Sequence, residues 1–181
     1  MGPPLDEILK MDGLGDLEPR REEIGRTLEA LSLQGNQEYL SIGIGRNRLP
    51  LIVALHGLNV TGVDFDEEKL QYQREQSGKF AVQLKEAGGS LKLINVRIAI
   101  EPLHDLHGKY DYIECVNFRL RGEHESELAQ ILLNLGKPVS SYLIATWGGP
   151  TGTEDKTIQE LVKELENMQK KFQIEIGRAH V

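Results

Sequence analysis

Short β-favouring runs alternate with amphipathic segments along this chain, and this alternation limits the possible folds more than any other feature. The runs are rich in Val, Ile, Leu and Tyr, as strands are, and they cover residues 39–43, 59–63, 91–100, 110–117 and 142–147. Strands that alternate with helices pair in parallel through right-handed crossovers. The sequence therefore predicts an α/β fold: an open, doubly wound, mainly parallel sheet with helices on both faces.

The segments between these runs place apolar residues at helical spacing. They predict helices over residues 18–33, 49–56, 67–87, 123–135 and 155–172. Asp66 is a suitable N-cap for the third of these helices, and Gly88 a suitable stop. Residues 1–20 contain several Gly and Pro residues among acidic ones, and we expect a loose arm with one short helix there.

A candidate binding site lies at the end of the first predicted strand. Gly43 and Gly45 follow that strand, where glycine permits a tight turn and lets backbone N–H groups approach a ligand. Asp64 ends the next strand, and its two oxygens can accept hydrogen bonds from both hydroxyls of a ribose. This spacing predicts a ligand that contains a ribose. The alternative is a tight turn and a capping Asp without any ligand.

A dinucleotide is one ribose ligand to consider. Its fingerprint is Gly-x-Gly-x-x-Gly, in which the third glycine allows close packing of helix on strand. Arg48 occupies that third position here. The sequence therefore disfavours NAD, although an NAD-dependent oxidoreductase stays as a less favoured alternative.

Several motifs together resemble the class I S-adenosylmethionine-dependent methyltransferases. The stretch from Tyr39 to Asn47 is similar to the first motif of that family, and Asn59–Asp66 to its second strand with the ribose-binding acid. Lys109–Asn117 resembles the fourth strand, and Leu135–Trp147 the Lys-Pro turn with the fifth strand. The resemblance implies a Rossmann-like methyltransferase fold that binds S-adenosylmethionine. The cofactor-binding residues it implies are Ser41, Gly43, Gly45, Asp64, Phe65 and Asn117, with Phe65 beside the adenine and Asn117 near the methionine end or the acceptor.

The chain also departs from the family pattern. Ser41 stands where the family usually has an acid, Asn47 where it often has a third glycine, and Val139-Ser140 where Gly-Gly is common. These departures leave open a second interpretation, a non-catalytic methyltransferase-like domain that serves as a binding or scaffold module.

Other chemically capable side chains receive simpler interpretations. His104, Asp105 and His107 lie in one loop, which we interpret as solvated rather than as a metal site. Cys115 is expected to be a small buried residue rather than a nucleophile. Trp147 is assigned equally to a pocket wall or to the core, and Arg119 and Arg121 to a charged loop. No catalytic residue and no metal are assigned.

Composition limits the partners. The formal net charge is −7 and there is no run of Lys or Arg, which disfavours binding to a nucleic-acid backbone. Asn117-Phe118-Arg119 replaces the Asn/Asp-Pro-Pro-aromatic signature of amino-group methylation, which favours a small-molecule acceptor. The apolar stretches are shorter than the roughly 20 residues of a membrane span, and the N-terminus lacks the pattern of a signal peptide. We therefore expect a cytoplasmic protein.

The sequence predicts three segments. Residues 1–38 form the N-terminal arm and helix, and residues 39–175 the S-adenosylmethionine-binding domain. Residues 176–181 can be encoded by a common sequencing adaptor, so we predict a non-native tail, an ordinary polar C-terminus being the alternative. On the first interpretation the chain is truncated and the sheet lacks its final strand or strands.

Overall fold

The structure, a computed structural model, describes residues 4–95, 110–116, 132, 135–147, 163 and 174–179. The helices are α1 (Leu5–Leu9), a 3-10 helix (Gly15–Arg20), α2 (Arg21–Leu31), α3 (Leu49–Leu55), α4 (Glu67–Lys79) and α5 (Ala81–Ala87). The strands are β1 (Glu38–Ile42), β2 (Asn59–Asp64), β3 (Ser90–Asn95), β4 (Tyr110–Val116), β5 (Gly136–Trp147) and β6 (Ile174–Ala179).

These strands form one parallel sheet in the order β3-β2-β1-β4-β5-β6. The predicted open parallel sheet is thus confirmed. The chain moves outward from β1 to β3 and then returns to the other side of β1 with β4. Ligands of such sheets bind beyond the carboxyl ends of the strands at this reversal. A ligand site is therefore expected at the ends of β1, β2 and β4.

The far edge of the sheet differs from the prediction. The sequence did not predict a strand after β5, whereas β6 pairs in parallel with β5, from Tyr142 opposite Ile174 to Trp147 opposite Ala179. Strand β6 includes residues 176–179 of the predicted tail. Strand β5 also begins earlier than predicted, at Gly136, so the Lys-Pro pair expected in a turn lies within the strand.

Both faces of the central strands are buried, as a doubly wound sheet requires. On one face Tyr39 and Tyr112 stack with ring centroids 6.0 Å apart, within an apolar cluster that also contains residues of α2, α3 and α5. On the other face Leu40, Ile42 and Ile113 are buried as well. Burial on both faces explains why apolar residues stand at successive positions in these strands, as at Tyr39-Leu40 in β1 and Tyr112-Ile113 in β4.

The N-terminal arm is packed rather than loose, contrary to the expectation from its Gly and Pro content. Ile8, Leu9, Leu14 and Leu17 are all buried in the apolar cluster. Their burial removes enough apolar surface from water to offset the ordering of a short segment.

The predicted helix over residues 67–87 is divided in two at Phe80, whose side chain is buried. The predicted start is confirmed: the Asp66 side chain accepts hydrogen bonds from the amides of Glu68 at 3.0 Å and Lys69 at 3.4 Å. The predicted stop is also confirmed, since Gly88 has a left-handed backbone with φ 74°.

We expect Asp66→Ala to lower the free energy of unfolding by about 1 kcal/mol, because it removes the N-cap of α4. Urea denaturation monitored by circular dichroism measures this loss. Glu75→Ala, on the exposed side of the same helix, is the matched control and should change stability by no more than about 0.5 kcal/mol. Equal stabilities of the two variants would contradict the assigned capping role.

Some predictions fall on other residues. The predicted helices over 123–135 and 155–172, residues 96–100 of the third predicted strand, and the loop with His104, Asp105 and His107 lie outside the described residues, apart from Leu132, Leu135 and Lys163. Within the described part of the chain, no helix is long and apolar enough to cross a membrane.

Candidate functional site

The loop between β1 and α3, residues 43–48, is called here the glycine loop. Gly43 and Gly45 have positive φ angles of 67° and 51°. This left-handed region is disfavoured for residues with a Cβ atom and accessible to glycine. The two glycines therefore let the chain reverse sharply at the carboxyl end of β1.

Asp64, the last residue of β2, is turned towards this loop. Its Oδ2 atom accepts a hydrogen bond from the Gly45 amide at 2.8 Å, and its Oδ1 atom accepts one from the Asp66 amide at 2.9 Å. A carboxylate offers about four acceptor positions, so these two bonds leave capacity for two more donors. The predicted juxtaposition of Asp64 with the glycine bend is present in the fold.

The amides of Gly43, Ile44 and Gly45 are hydrogen-bonded within the protein, contrary to the expectation from the sequence. The Gly43 and Ile44 amides donate to the Val63 carbonyl at 2.9 and 3.0 Å, and the Gly45 amide donates to Asp64. The reason is that β2 runs beside β1, so the Val63 carbonyl and the Asp64 carboxylate at the end of β2 meet the loop. Because anion sites at glycine-rich loops need exposed N–H donors, this arrangement disfavours a phosphate ligand such as a dinucleotide.

A glutamine from α4 fixes the other side of the glycine loop. The buried Gln73 side chain donates through Nε2 to the carbonyl oxygens of Gly45 at 2.9 Å and Asn47 at 2.8 Å. The loop is therefore held by side chains from β2 and α4 and is preorganised rather than adaptable.

A second buried carboxylate lies under the loop. Glu114, near the end of β4, is 0% exposed. Its carboxylate accepts hydrogen bonds from the Tyr39 hydroxyl at 2.5 Å, from Asn47 Nδ2 at 2.6 Å and from the Ser41 hydroxyl at 3.4 Å. Burial raises the pKa of Glu114 from 4.5 to about 7, although the three hydrogen bonds oppose the shift. Burial, followed by the nearby Glu114 charge, raises the pKa of Tyr39 well above its ordinary value.

Asn47 links this carboxylate to the next helix. Its Nδ2 group donates to Glu114, and its Oδ1 atom accepts a hydrogen bond from the Leu49 amide at 3.0 Å. These two bonds fix the orientation of the amide group. The residue that replaces the expected third glycine thus joins β4 to the first turn of α3.

Sequence reasoning did not single out Glu114. The signal that could have found it is an acid in an apolar strand, opposite the position where the resembled family carries its own acid. The parallel register places Ser41 directly opposite Glu114. The carboxylate missing from β1 is therefore matched by one on its neighbour β4.

The other residues assigned from the sequence differ in how far they are buried. Ser41 is buried and directs its hydroxyl to Glu114, whereas Phe65, next to Asp64, is 71% exposed. Asn117 lies outside the described residues. Cys115 is buried, as expected, and burial raises the pKa of its thiol. No three His, Cys, Asp or Glu side chains converge as a metal site in the part of the chain that the structure describes.

Arg48, whose side chain was expected to hinder close packing of helix on strand, bonds to α4 and to the N-terminal arm. Its guanidinium bonds the Tyr72 hydroxyl at 3.2 Å, Asp16 at 2.6 Å and the Gly13 carbonyl at 3.3 Å. It ties the N-terminal arm to the start of α3.

Comparison with solved structures identifies proteins of the same fold. Precorrin-6y C5,15-methyltransferase from Geobacter metallireducens aligns with a TM-score of 0.57 and 18% identity, over 80% of this chain and 70% of that one. A SAM-dependent methyltransferase from Archaeoglobus fulgidus aligns with a TM-score of 0.51 and 23% identity, over 68% and 49%. The YcgJ protein from Bacillus subtilis aligns with a TM-score of 0.55 and 16% identity, over 84% and 62%.

No protein-family model and no curated protein sequence matches the chain. The structural similarities show the fold: a Rossmann-like sheet of the kind found in class I S-adenosylmethionine-dependent methyltransferases. The chain spans 70% of the Geobacter protein and about half of the Archaeoglobus protein.

Proposed function

We propose, from this methyltransferase fold and the geometry at its sheet reversal, that the chain binds S-adenosylmethionine and transfers its methyl group to a small molecule. The observation that carries the proposal is the Asp64 carboxylate, which faces the glycine loop and retains acceptor capacity for two hydroxyl groups. A ribose presents two such hydroxyls side by side. The sequence motifs and the fold support the same ligand.

The chemistry of the site fits an adenosyl sulfonium compound better than a nucleotide with phosphates. Asp64 and Glu114 place two carboxylates around the glycine loop, and the amides of Gly43 and Gly45 are already used. Carboxylates accept from hydroxyls and attract cations, whereas they repel phosphate. S-adenosylmethionine has ribose hydroxyls and a positive sulfonium, and it has no phosphate.

Each assigned residue has a distinct proposed role. Gly43 and Gly45 shape the bend that brings Asp64 to the ribose, and the exposed Phe65 ring packs against the adenine. Ser41 acts through its hydrogen bond to Glu114 rather than by direct contact, and Asn117 meets the methionine end or the acceptor.

Held by Asp64 and the glycine loop, S-adenosylmethionine would supply an activated methyl group, with a neutral thioether as the leaving group. The protein contributes mainly by holding donor and acceptor in line, which can lower the barrier by several kcal/mol. A general base is required only when the acceptor must lose a proton. The acidic net charge of the chain supports a small-molecule acceptor over a nucleic acid.

Ligand-dependent thermal unfolding tests the proposal. S-adenosylmethionine or S-adenosylhomocysteine at 100 times its Kd should stabilise the fold by about 2.7 kcal/mol, which is roughly 5–10 °C in Tm for a domain of this size. NAD is the control ligand and should leave Tm unchanged. A shift with NAD alone would contradict the proposal. A shift with the adenosyl compounds but no methyl transfer to any of a panel of acceptors would instead favour the binding or scaffold domain.

A further inference from the structure

Glu114 is a buried carboxylate with uncharged partners, and this leads to an inference beyond the proposed function. The carboxylate is completely buried, and its hydrogen-bond donors, Tyr39, Ser41 and Asn47, are all uncharged. In the described part of the chain, no Lys, Arg or His forms an ion pair with it. A buried carboxylate without a cationic partner is costly, and folds retain such groups mainly where they serve a function.

The hydrogen bonds around Glu114 are arranged for its ionised form. The Asn47 amide is oriented by the Leu49 amide, so that its Nδ2 group must donate to the carboxylate. The hydroxyl of Tyr39 also points at it. The hydrogen bonds from Tyr39, Ser41 and Asn47 lower the pKa of Glu114 and so oppose the effect of burial. The network therefore stabilises the negative charge that Glu114 carries once it ionises.

This charge lies next to the proposed ligand site. Glu114 bonds Asn47, which belongs to the glycine loop, and Ser41 opposite Glu114 is two residues before Gly43. The carboxyl end of β4 and Asp64, at the end of β2, lie on the two sides of β1, where the strand order reverses. The carboxylate is shielded from solvent, so its field acts on a neighbouring ligand with less screening than that of a surface charge.

We propose that Glu114 is a specificity-determining residue that favours the positively charged methyl donor over the uncharged product at this site. The inference rests on the proposed function. S-adenosylmethionine and S-adenosylhomocysteine differ by one methyl group and by the positive charge on sulfur. When it is ionised, the buried carboxylate stabilises the donor relative to the product and so assists exchange of product for fresh donor. Because Glu114 is completely buried, it does not contact the ligand directly. It acts on the ligand through the electrostatic field of its charge.

The test compares the two affinities in Glu114→Gln, which keeps the shape of the side chain and removes its charge. Isothermal titration gives the ratio of the Kd for S-adenosylhomocysteine to the Kd for S-adenosylmethionine. This ratio should fall about tenfold from wild type to variant, because the variant loses an electrostatic attraction that only the charged donor experiences. A purely structural role predicts equal weakening of both ligands and an unchanged ratio, which would overturn the inference.

Asp111→Asn is the matched control. Asp111 lies in the same strand and accepts a hydrogen bond from the Glu38 amide at 2.9 Å, at the opposite end of β1 from the glycine loop. The substitution also converts a carboxylate to an amide, and the affinity ratio should stay at the wild-type value. A tenfold fall in this variant as well would show a general effect of net charge and would overturn the inference.

The wild-type protein provides a second measurement that does not depend on the stability of a variant. As pH rises from 6 to 8, Glu114 ionises and the affinity ratio should increase in favour of the donor. Tyr39 and Cys115 are the titratable groups whose pKa values are affected by the charge on Glu114. Burial raises both pKa values, and the Glu114 charge raises them further, so both groups stay neutral over this range. A ratio that does not change with pH would contradict the inference. Absence of binding by either ligand to the wild-type protein would instead contradict the proposed function itself.

Discussion

The Asp64→Ala variant is expected to bind S-adenosylmethionine at least about 100-fold more weakly than the wild-type protein. The carboxylate faces the glycine loop, with acceptor capacity left for the two ribose hydroxyls. Each hydrogen bond to a charged group contributes about 1.5–3 kcal/mol, and a 100-fold change in Kd corresponds to about 2.7 kcal/mol. Isothermal titration with S-adenosylmethionine and S-adenosylhomocysteine measures the loss.

The same substitution also lowers stability, which the sequence alone did not indicate. It removes the acceptor for the Gly45 and Asp66 amides, and we expect the free energy of unfolding to fall by about 2 kcal/mol. Asp64→Asn keeps one acceptor oxygen and with it one of these two amide bonds, so it serves where the alanine variant is too unstable. Asp66→Ala is the control for binding, since it weakens the same segment without touching the proposed ribose contact. Full affinity in both Asp64 variants would refute the ribose assignment.

The second large effect is a dependence of stability on pH that arises from Glu114. Its pKa is raised to about 7 in the folded protein by burial, while the unfolded chain has the ordinary value near 4.5. Between these two pH values the folded state holds a proton that the unfolded state has lost. The contribution of Glu114 to the free energy of unfolding is therefore fully present below pH 4.5, declines as pH rises, and is lost above pH 7. Between these two limits the free energy of unfolding falls by about 3 kcal/mol.

Glu114→Gln isolates this contribution, because a neutral amide cannot ionise. Urea denaturation at intervals between pH 4.5 and 8 should show the wild-type protein losing stability relative to the variant by about 3 kcal/mol as pH rises. Asp111→Asn, in the same strand, should follow the wild-type slope. Parallel curves for the wild-type protein and Glu114→Gln would show that the carboxyl group titrates normally and is not buried as described.

Local sequence patterns were sufficient to predict the elements that build the site. The runs at β1, β2 and β4 are rich in β-favouring residues such as Val, Ile and Tyr, and helix α3 has Pro50 in its first turn. The Asp66 cap was also recognisable, because its side chain bonds amides only two and three residues away. Such features depend on neighbours in the chain, which a sequence displays directly.

Features that depend on distant contacts were not predictable in this way. The bond from Glu114 to Tyr39 joins residues 75 positions apart, and the sequence does not show that the two strands lie side by side in that register. The same holds for Gln73, which reaches the glycine loop from α4. The expectation of free amides at Gly43 and Gly45 was wrong for the same reason, since their acceptors belong to β2.

The account depends above all on an adenosyl ligand held between the glycine loop and Asp64, and backbone-amide NMR measures this most directly. Titration of the ¹⁵N-labelled protein with S-adenosylhomocysteine should shift the amide resonances of Gly45 and Asp66, because both amides donate to the carboxylate that receives the ribose. Gly35, in the turn before β1 at the opposite end of that strand, should not shift. Binding that leaves Gly45 and Asp66 unchanged while moving other resonances would place the ligand elsewhere and contradict the account.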